Sequence, residues 1–130
     1  MATQESPSIA AELAHCTGSE NQYQHGFMRS FRYTDGIQTL ASLAGAYWLI
    51  DVAASHQTNH KVRAETFQLW SIRRLPKDAK NAAVIECRRD SGTTPICRQF
   101  LEYTDFPFDD LGESFEWYVC DSVMLLKSEY

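Results

Sequence analysis

The sequence contains no apolar run long enough to cross a membrane. Its longest run, LAGAYWLI, is followed directly by Asp51, whereas about 20 consecutive apolar residues are needed to span a bilayer. The first residues also lack the basic segment and the apolar segment of a secretory leader. These two features predict a soluble, cytoplasmic protein with no membrane partner.

The common signatures of metal, phosphate and nucleophile sites are missing as well. The four cysteines form no Cys-x-x-Cys pair, and the six glycines are too scattered to form a phosphate-binding loop. No Gly-x-Ser-x-Gly elbow occurs. His56 and His60 are four residues apart, but the residues between them include no glutamate and read as a loop. The sequence therefore favours a non-enzymatic role with no cofactor and no metal.

What the chain does contain is typical of one globular domain, predicted over residues 1–130. Apolar residues make up 44% and charged residues 22% of the 130 positions. The charge is uneven along the chain: residues 1–60 carry −3, residues 61–98 carry +5 and residues 99–130 carry −7. This layout predicts a polarised molecule with an acidic face, which would attract a basic partner.

Hydrophobic spacing predicts helices in the first half. Ser6 and Pro7 indicate a helix start, with the helix extending over 7–15. The polar stretch 18–26 reads as a loop, and the period-two aromatics of 27–33 indicate a short strand. Apolar residues at steps of three and four over 37–56 predict a buried helical segment, in which Gly45 either divides two helices or lets another element approach closely. The polar stretch 57–65 reads as a second loop.

The second half is predicted to be mostly strands. Segments at 65–75, 81–90 and 96–104 precede a loop or helical turn at 105–114 and one or two last strands, with a tight turn at Asp121-Ser122. A turn at Gly92 would place Cys87 opposite Cys97, where a disulfide is allowed by geometry and disfavoured by a reducing compartment. The predicted fold class is α+β, an antiparallel sheet of about five strands with the N-terminal helices packed on one face.

The tripeptide Tyr-Thr-Asp occurs twice, ending at Asp35 and at Asp105. We interpret both as strand exits at which the threonine or the aspartate caps the following turn. An alternative is a small hydrolase in which Asp35, Asp105 and a His or Cys share a pocket. That chemistry requires the two carboxylates to converge in space.

Basic residues concentrate in the central strands. They are Arg73, Arg74, Lys77, Lys80, Arg88, Arg89 and Arg98, with Trp70 nearby. Arginines and an aromatic on a sheet can hold phosphates and stack a base, so a nucleic-acid accessory role is a second alternative. The pI of about 5.3 makes nucleic acid the less favoured partner.

Aromatics and carboxylates mix near the end of the chain, which suits an interface with a basic protein. We expect this surface to contain Phe106, Phe108, Asp109, Asp110, Glu113, Glu116, Trp117 and Asp121. An array of carboxylates can also imitate the phosphates of a nucleic acid.

Five stretches together resemble a family of short, uncharacterised bacterial proteins that also occur on plasmids and other mobile elements. They are TGSENQYQH, YTDGIQTLASLAGAYWLID, FQLWSI, EYTDFP and LLKSEY, and they extend from Thr17 to Tyr130. The family usually has proline at the position of Lys127. It has no assigned activity and no catalytic residues to carry over, and the resemblance implies a small accessory protein of a mobile element or phage.

Combining charge and resemblance, the leading hypothesis is a small acidic module, monomeric or homodimeric, that binds a larger host complex. Such a complex could be a defence assembly such as a CRISPR effector. The module would inhibit or modulate it by steric block or by nucleic-acid mimicry.

Overall fold

The computed structural model describes residues 8–18, 21–75 and 82–130, which form one mixed α+β arrangement. Its helices are α1 (Ile9–Leu13), α2 (Asp35–Ala44), α3 (Tyr47–His56), α4 (His60–Arg63) and α5 (Phe108–Leu111). Its strands are β1 (Gln22–Gln24), β2 (Arg32–Thr34), β3 (Phe67–Arg74), β4 (Ala83–Arg88), β5 (Cys97–Leu101), β6 (Ser114–Cys120) and β7 (Val123–Leu126). A 3₁₀ turn, Lys127–Glu129, follows β7.

The strands form a seven-stranded sheet in the order β1-β2-β7-β6-β3-β4-β5. All neighbours are antiparallel except β2 and β7, which are parallel. The prediction of about five strands was therefore too low. The additional strands are β1, which lies in a stretch read as a loop, and β7, since the last segment forms two strands where one or two were expected. The strand predicted over 27–33 is present only at its end, as the three residues of β2.

The helical half follows the local signals closely. Gly45 ends α2 with a left-handed backbone (φ 63°), so of the two roles predicted for this glycine the structure shows the division before α3. Ser8 caps α1 by accepting a hydrogen bond from the Ala11 amide at 3.0 Å, whereas the predicted start at Ser6 lies outside the described residues. The predicted loop 57–65 contains the short helix α4, capped by Asn59.

The described helices pack on one face of the sheet. Trp70 and Trp117 point toward them and stack with their ring centroids 6.1 Å apart, and both are fully buried. Gln68, on the same face, hydrogen-bonds Gln57, the residue that follows α3, at 2.9 Å. Because side chains alternate along a strand, the residues between these positions point to the opposite face, which we call the open face.

The open face carries arginines and Phe100 at one end and three further aromatic rings at the other. Tyr130 lies against Phe67 and Tyr118, with ring centroids 5.6 and 5.1 Å away. Arg73, Glu86 and Arg98 lie on the β3–β4–β5 side of the same face. Among the described residues, no helix is long and apolar enough to cross a membrane.

Candidate functional site

The aromatic part of the predicted acidic–aromatic surface is inside the protein. Phe106 and Phe108 are 4% and 3% exposed, and Trp117 is fully buried. Phe106 contacts Phe108 and Phe115, with centroids 5.0 and 5.9 Å away, under the helices. These three predicted partner-binding side chains therefore belong to the core, and they reach no partner unless the fold opens.

The carboxylates of the same region have partners within the chain. Asp110 accepts hydrogen bonds from the Ile9 amide at 2.8 Å and the Ala10 amide at 3.2 Å, at the start of α1. Glu116 binds the Lys127 ammonium at 2.7 Å. Asp110 is thus used to fix α1, and the charge of Glu116 is balanced locally.

Asp109 and Glu113 share one guanidinium. Arg74 binds Glu113 through two nitrogens, at 3.0 and 2.9 Å, and Asp109 at 3.1 Å. Glu113 first, and then Asp109, raises the pKa of Arg74. Asp121, the last residue of the predicted surface, lies in the exposed β6–β7 turn. The structure therefore does not gather the predicted residues into one exposed acidic–aromatic face.

In both Tyr-Thr-Asp stretches the threonine side chain accepts a hydrogen bond from a backbone amide two or three residues further along the chain. Thr34 caps α2 by accepting from the Ile37 amide at 3.4 Å, and Thr104 accepts from the Phe106 amide at 3.1 Å. Asp35 instead accepts from the Tyr23 hydroxyl at 3.1 Å, whereas Asp105 lines two clefts with residues such as Trp48 and Arg74. The aspartates belong to different sites, so the geometry gives no support to a shared catalytic pair.

His56 and His60 belong to different helices, since His56 ends α3 and His60 begins α4. His56 Nε2 lies 2.7 Å from the Gln99 side-chain oxygen and its ring packs on Trp70. In the part of the chain that the structure describes, no group of three or more His, Cys, Asp or Glu could hold a metal ion.

Aromatic side chains gather on the helix side of β1 and β2, in a place that the sequence analysis did not identify. Tyr23 stacks on Tyr33 with centroids 5.5 Å apart. Phe27, in the β1–β2 turn, is 93% exposed, and Tyr47, at the start of α3, is 46% exposed. We call Tyr23, Phe27, Tyr33 and Tyr47 the N-terminal aromatic patch. A large side chain as exposed as Phe27 is unusual and is typical of interaction surfaces.

A His–Asp pair supports this patch. His25 Nδ1 accepts hydrogen bonds from the Phe27 and Met28 amides at 3.2 and 3.0 Å, so Nε2 carries the proton and donates to Asp51 at 2.7 Å. Both ring nitrogens are therefore occupied, and His25 holds the β1–β2 turn against α3. The Asp51 side chain is 69% exposed and keeps acceptor capacity for another donor.

These groups line a small cavity of about 140 Å³ that is open to solvent. Its walls include the rings of Phe27, Tyr33 and Tyr47, with the Asp51 carboxylate at one side. Burial first, and then Tyr47 and Asp51, raises the pKa of Tyr33. Aromatic faces beside a carboxylate form a suitable environment for an ammonium or guanidinium group.

A second cluster lies on the open face, around Glu86. The Glu86 side chain is only 3% exposed, and it binds Arg98 at 2.8 Å and Arg88 at 3.1 Å. Arg73 approaches the same carboxylate at 3.8 Å. Burial alone would raise the pKa of Glu86, but the three guanidiniums outweigh it and lower that pKa. Three positive charges around one negative charge leave this part of the open face basic.

Sequence reasoning identified these arginines but placed the accompanying aromatic wrongly. Trp70 lies on the helix-covered face, and the rings on the open face are Phe67, Phe100, Tyr118 and Tyr130. The period-two pattern of 27–33 also grouped Phe27 with Phe31, although Phe31 is 1% exposed. The turn sequence His-Gly-Phe before Met28 gave only a weak indication of this patch, because turns that expose an aromatic side chain share no fixed sequence pattern.

Comparison with curated proteins and with solved structures found no match. A family model does match, over residues 7–130, and it describes a family of unknown function, DUF6876. This agrees with the resemblance to an uncharacterised family, and the match covers every element of the sheet and all five helices described above. The chain therefore belongs to the family of unknown function DUF6876.

Proposed function

We propose that this protein is a protein-binding module whose N-terminal aromatic patch receives a basic side chain of a larger partner. The cavity formed by Phe27, Tyr33 and Tyr47 beside the Asp51 carboxylate carries the proposal. Its volume of about 140 Å³ suits the end of one lysine or arginine side chain. The partner is thus of the basic kind expected from the sequence, but it contacts a different surface.

Two physical terms would favour this contact. The rings attract a cation through their faces, which contributes about 0.5–2 kcal/mol depending on how far the cation is desolvated. Asp51 adds an acceptor that is already positioned by His25. The exposed aromatic residues around the pocket also supply apolar contact area, and aromatic residues often contribute most of the binding free energy of an interface.

The biological role that we propose is that of an accessory protein that occludes a host complex, as expected for a mobile-element context. Steric block is the favoured mechanism. Nucleic-acid mimicry has less support, because Asp110, Glu113 and Glu116 are engaged by partners within the chain.

The direct test is an NMR titration of the ¹⁵N-labelled protein with a hexa-arginine peptide and, as a neutral probe, hexa-glutamine. The proposal expects amide shifts at residues 25–28 and 47–51 with the arginine peptide alone. Tyr47→Ala and Asp51→Asn should weaken binding at least fivefold, and Asn at position 51 keeps an acceptor for His25. Tyr103→Ala and Asp109→Asn are matched controls, because both residues are exposed and lie elsewhere. Equal weakening by the controls, or shifts centred on residues 100–113, would refute the site.

The partner itself can be sought by affinity capture from the host followed by mass spectrometry. Wild type and the Tyr47→Ala/Asp51→Asn double variant would be compared at equal amounts of folded protein. A partner retained by wild type and lost with the double variant supports the role. Capture that is the same with both proteins contradicts it.

A second candidate function, nucleic-acid binding, is favoured by one observation. Arg73, Arg88 and Arg98 converge on the open face, with Phe67, Tyr118 and Tyr130 on the same face. Guanidiniums for phosphates and rings for bases are the components of a single-strand platform. Fluorescence anisotropy with a twelve-residue oligo-dT would test it at two salt concentrations.

Binding that weakens steeply with salt, and that Arg73→Ala reduces more than Arg89→Ala, would support this second function. Arg89 is a suitable control because it is exposed and pairs with Glu65. Binding too weak to detect at 50 mM salt would exclude the open face as a platform.

A further inference from the structure

Two cysteines lie directly opposite each other at the edge of the sheet. Cys87 of β4 is the register partner of Cys97 of β5, and both are free thiols. Directly opposed residues of an antiparallel pair have Cα atoms about 4.5–5.5 Å apart. Disulfides join Cα atoms about 4.4–6.8 Å apart, so the backbone is already at bonding distance.

The two thiols differ in accessibility and in acidity. Cys87 is fully buried, whereas Cys97 is only partly buried on the edge strand. Interaction with the Cys87 thiol, followed by the charge of His56, lowers the pKa of Cys97 to about 7. The same interaction and burial raise the pKa of Cys87. Cys97 is therefore the sulfur that a reagent reaches first and that loses its proton more readily than Cys87.

The surroundings of the pair are consistent with this asymmetry. Gln99 lies two residues along β5 on the same face and holds the His56 ring nitrogen at 2.7 Å, which places the imidazole beside Cys97. Two charged groups act on Cys87: Glu65, which raises its pKa, and Arg88, which lowers it. Cys16 and Cys120, in contrast, have their pKa values raised, chiefly by burial.

We propose that Cys87 and Cys97 are a thiol-oxidation site at which a low-molecular-weight disulfide forms a reversible bond between β4 and β5. The Cys97 thiolate attacks one sulfur of the small disulfide, which forms a mixed disulfide and releases one small thiolate. The Cys87 thiol then loses its proton and attacks the Cys97 sulfur, and the second small thiolate leaves. Two protein thiols are oxidised, one small disulfide is reduced to two small thiols, and these take up the two protons.

The bond would lie directly behind the Glu86–Arg98 pair of the open face. Glu86 adjoins Cys87, Arg98 adjoins Cys97, and the two are themselves register partners. β5 is an edge strand with one neighbour, β4. Oxidation would therefore tie the edge strand to the sheet, and the proposal is independent of either function proposed above.

The experiment equilibrates the full chain in glutathione buffers of increasing oxidised fraction, alkylates the remaining thiols and digests with trypsin. Trypsin cuts after Arg88 and Arg89, so peptides 81–88 and 90–98 stay together only through a disulfide. The proposal expects the linked pair to dominate in excess oxidised glutathione and to disappear with dithiothreitol. Cys16 and Cys120 should remain alkylated throughout. Cys97 found only as a glutathione adduct, or Cys87 still alkylated, would overturn the proposal.

Two variants that each replace one cysteine distinguish the proposed thiol chemistry from an effect of the substitutions on folding. Cys87→Ser should accumulate the glutathione adduct at Cys97, and Cys97→Ser should leave Cys87 slow to react. The iodoacetamide rate of Cys97, followed by peptide mass, should rise with a midpoint near pH 7, and His56→Gln should move that midpoint upward. A Cys97 rate that rises only with those of Cys16 and Cys120 would contradict the assignment.

Discussion

The Glu129 carboxylate accepts a hydrogen bond from the Gly36 amide at 3.0 Å, which joins the 3₁₀ turn after β7 to the first turn of α2. The same carboxylate accepts from the Thr34 hydroxyl at 2.7 Å and from the Leu126 amide at 2.9 Å. A negative charge at a helix N-terminus is favourable. The YTDG and LLKSEY stretches, whose contacting residues Gly36 and Glu129 are 93 positions apart, therefore form one structural unit.

Gly36→Ala should destabilise the protein by about 2 kcal/mol. An added Cβ would lie 2.6 Å from the Glu129 carboxyl carbon and 2.7 Å from a Leu126 methyl. Moving the Glu129 side chain would break the hydrogen bonds that hold it. Urea unfolding followed by tryptophan fluorescence measures the loss. Gly18→Ala is the control, because no atom lies within 4 Å of its added Cβ, and an equal loss there would contradict the steric explanation.

Glu86 should make stability fall as the solution becomes acidic. The pKa of Glu86 is lowered in the folded protein, because three guanidiniums outweigh its burial. Its contribution is therefore fully present above the unfolded pKa of about 4.3 and is lost as pH falls through the lower folded value. Glu86→Gln should destabilise the protein by about 2 kcal/mol at pH 7. The difference in free energy of unfolding between wild type and Glu86→Gln, measured by chemical denaturation, should become smaller below pH 4. A difference that stays constant down to pH 2.5 would show that the charge of Glu86 is not responsible.

The stacked tryptophans should respond differently to loss of the indole nitrogen. Trp70 Nε1 donates to Gln68 at 2.9 Å, whereas Trp117 Nε1 is buried and has no hydrogen-bond partner among the described residues. Trp70→Phe and Trp117→Phe remove the same volume from the core. Trp70→Phe should cost about 1 kcal/mol more, because it also removes a hydrogen bond. Chemical denaturation of both variants gives the difference, and the opposite order would count against this explanation.

A glycine at position 122 of the β6–β7 turn should raise the stability of the protein. Asp121 and Ser122 both have positive φ, 49° and 68°, as in the two-residue hairpin turns that favour Asp-Gly. Ser122→Gly should therefore stabilise the protein by about 0.5 kcal/mol. Ser91→Gly, in the β4–β5 turn, replaces a serine without positive φ and should bring no gain. Thermal unfolding of the two variants would show whether backbone strain at Ser122 is the cause.

Several features followed from local patterns. The β4–β5 hairpin around Gly92 and the turn at Asp121 were predicted and are present. The division of the helical segment at Gly45, one of two roles predicted for this glycine, is present as well. The opposition of Cys87 and Cys97 followed from their symmetric spacing about that hairpin. Each depends on backbone preferences or side-chain period within about ten residues.

Other features could not be predicted from a single sequence. The parallel pairing of β2 with β7 joins segments separated by most of the chain, and three residues carry no periodic signal of their own. Phe27 and Phe31 are equally apolar, yet only Phe31 is buried. The cavity beside Asp51 combines the β1–β2 turn with α3, and it exists only because His25 links the two.

By itself, the sequence determined the mixed class, the order of most helices and strands and the pairing of the central hairpin, because side-chain period and turn geometry are local properties. Tertiary structure alone decided which charged and aromatic residues face solvent. Glu86 is buried by arginines from three strands, and Phe106, Phe108 and Trp117 are covered by helices from elsewhere in the chain. Whether a side chain is buried depends on which distant segments of the chain pack over it, and the residue type alone does not indicate this.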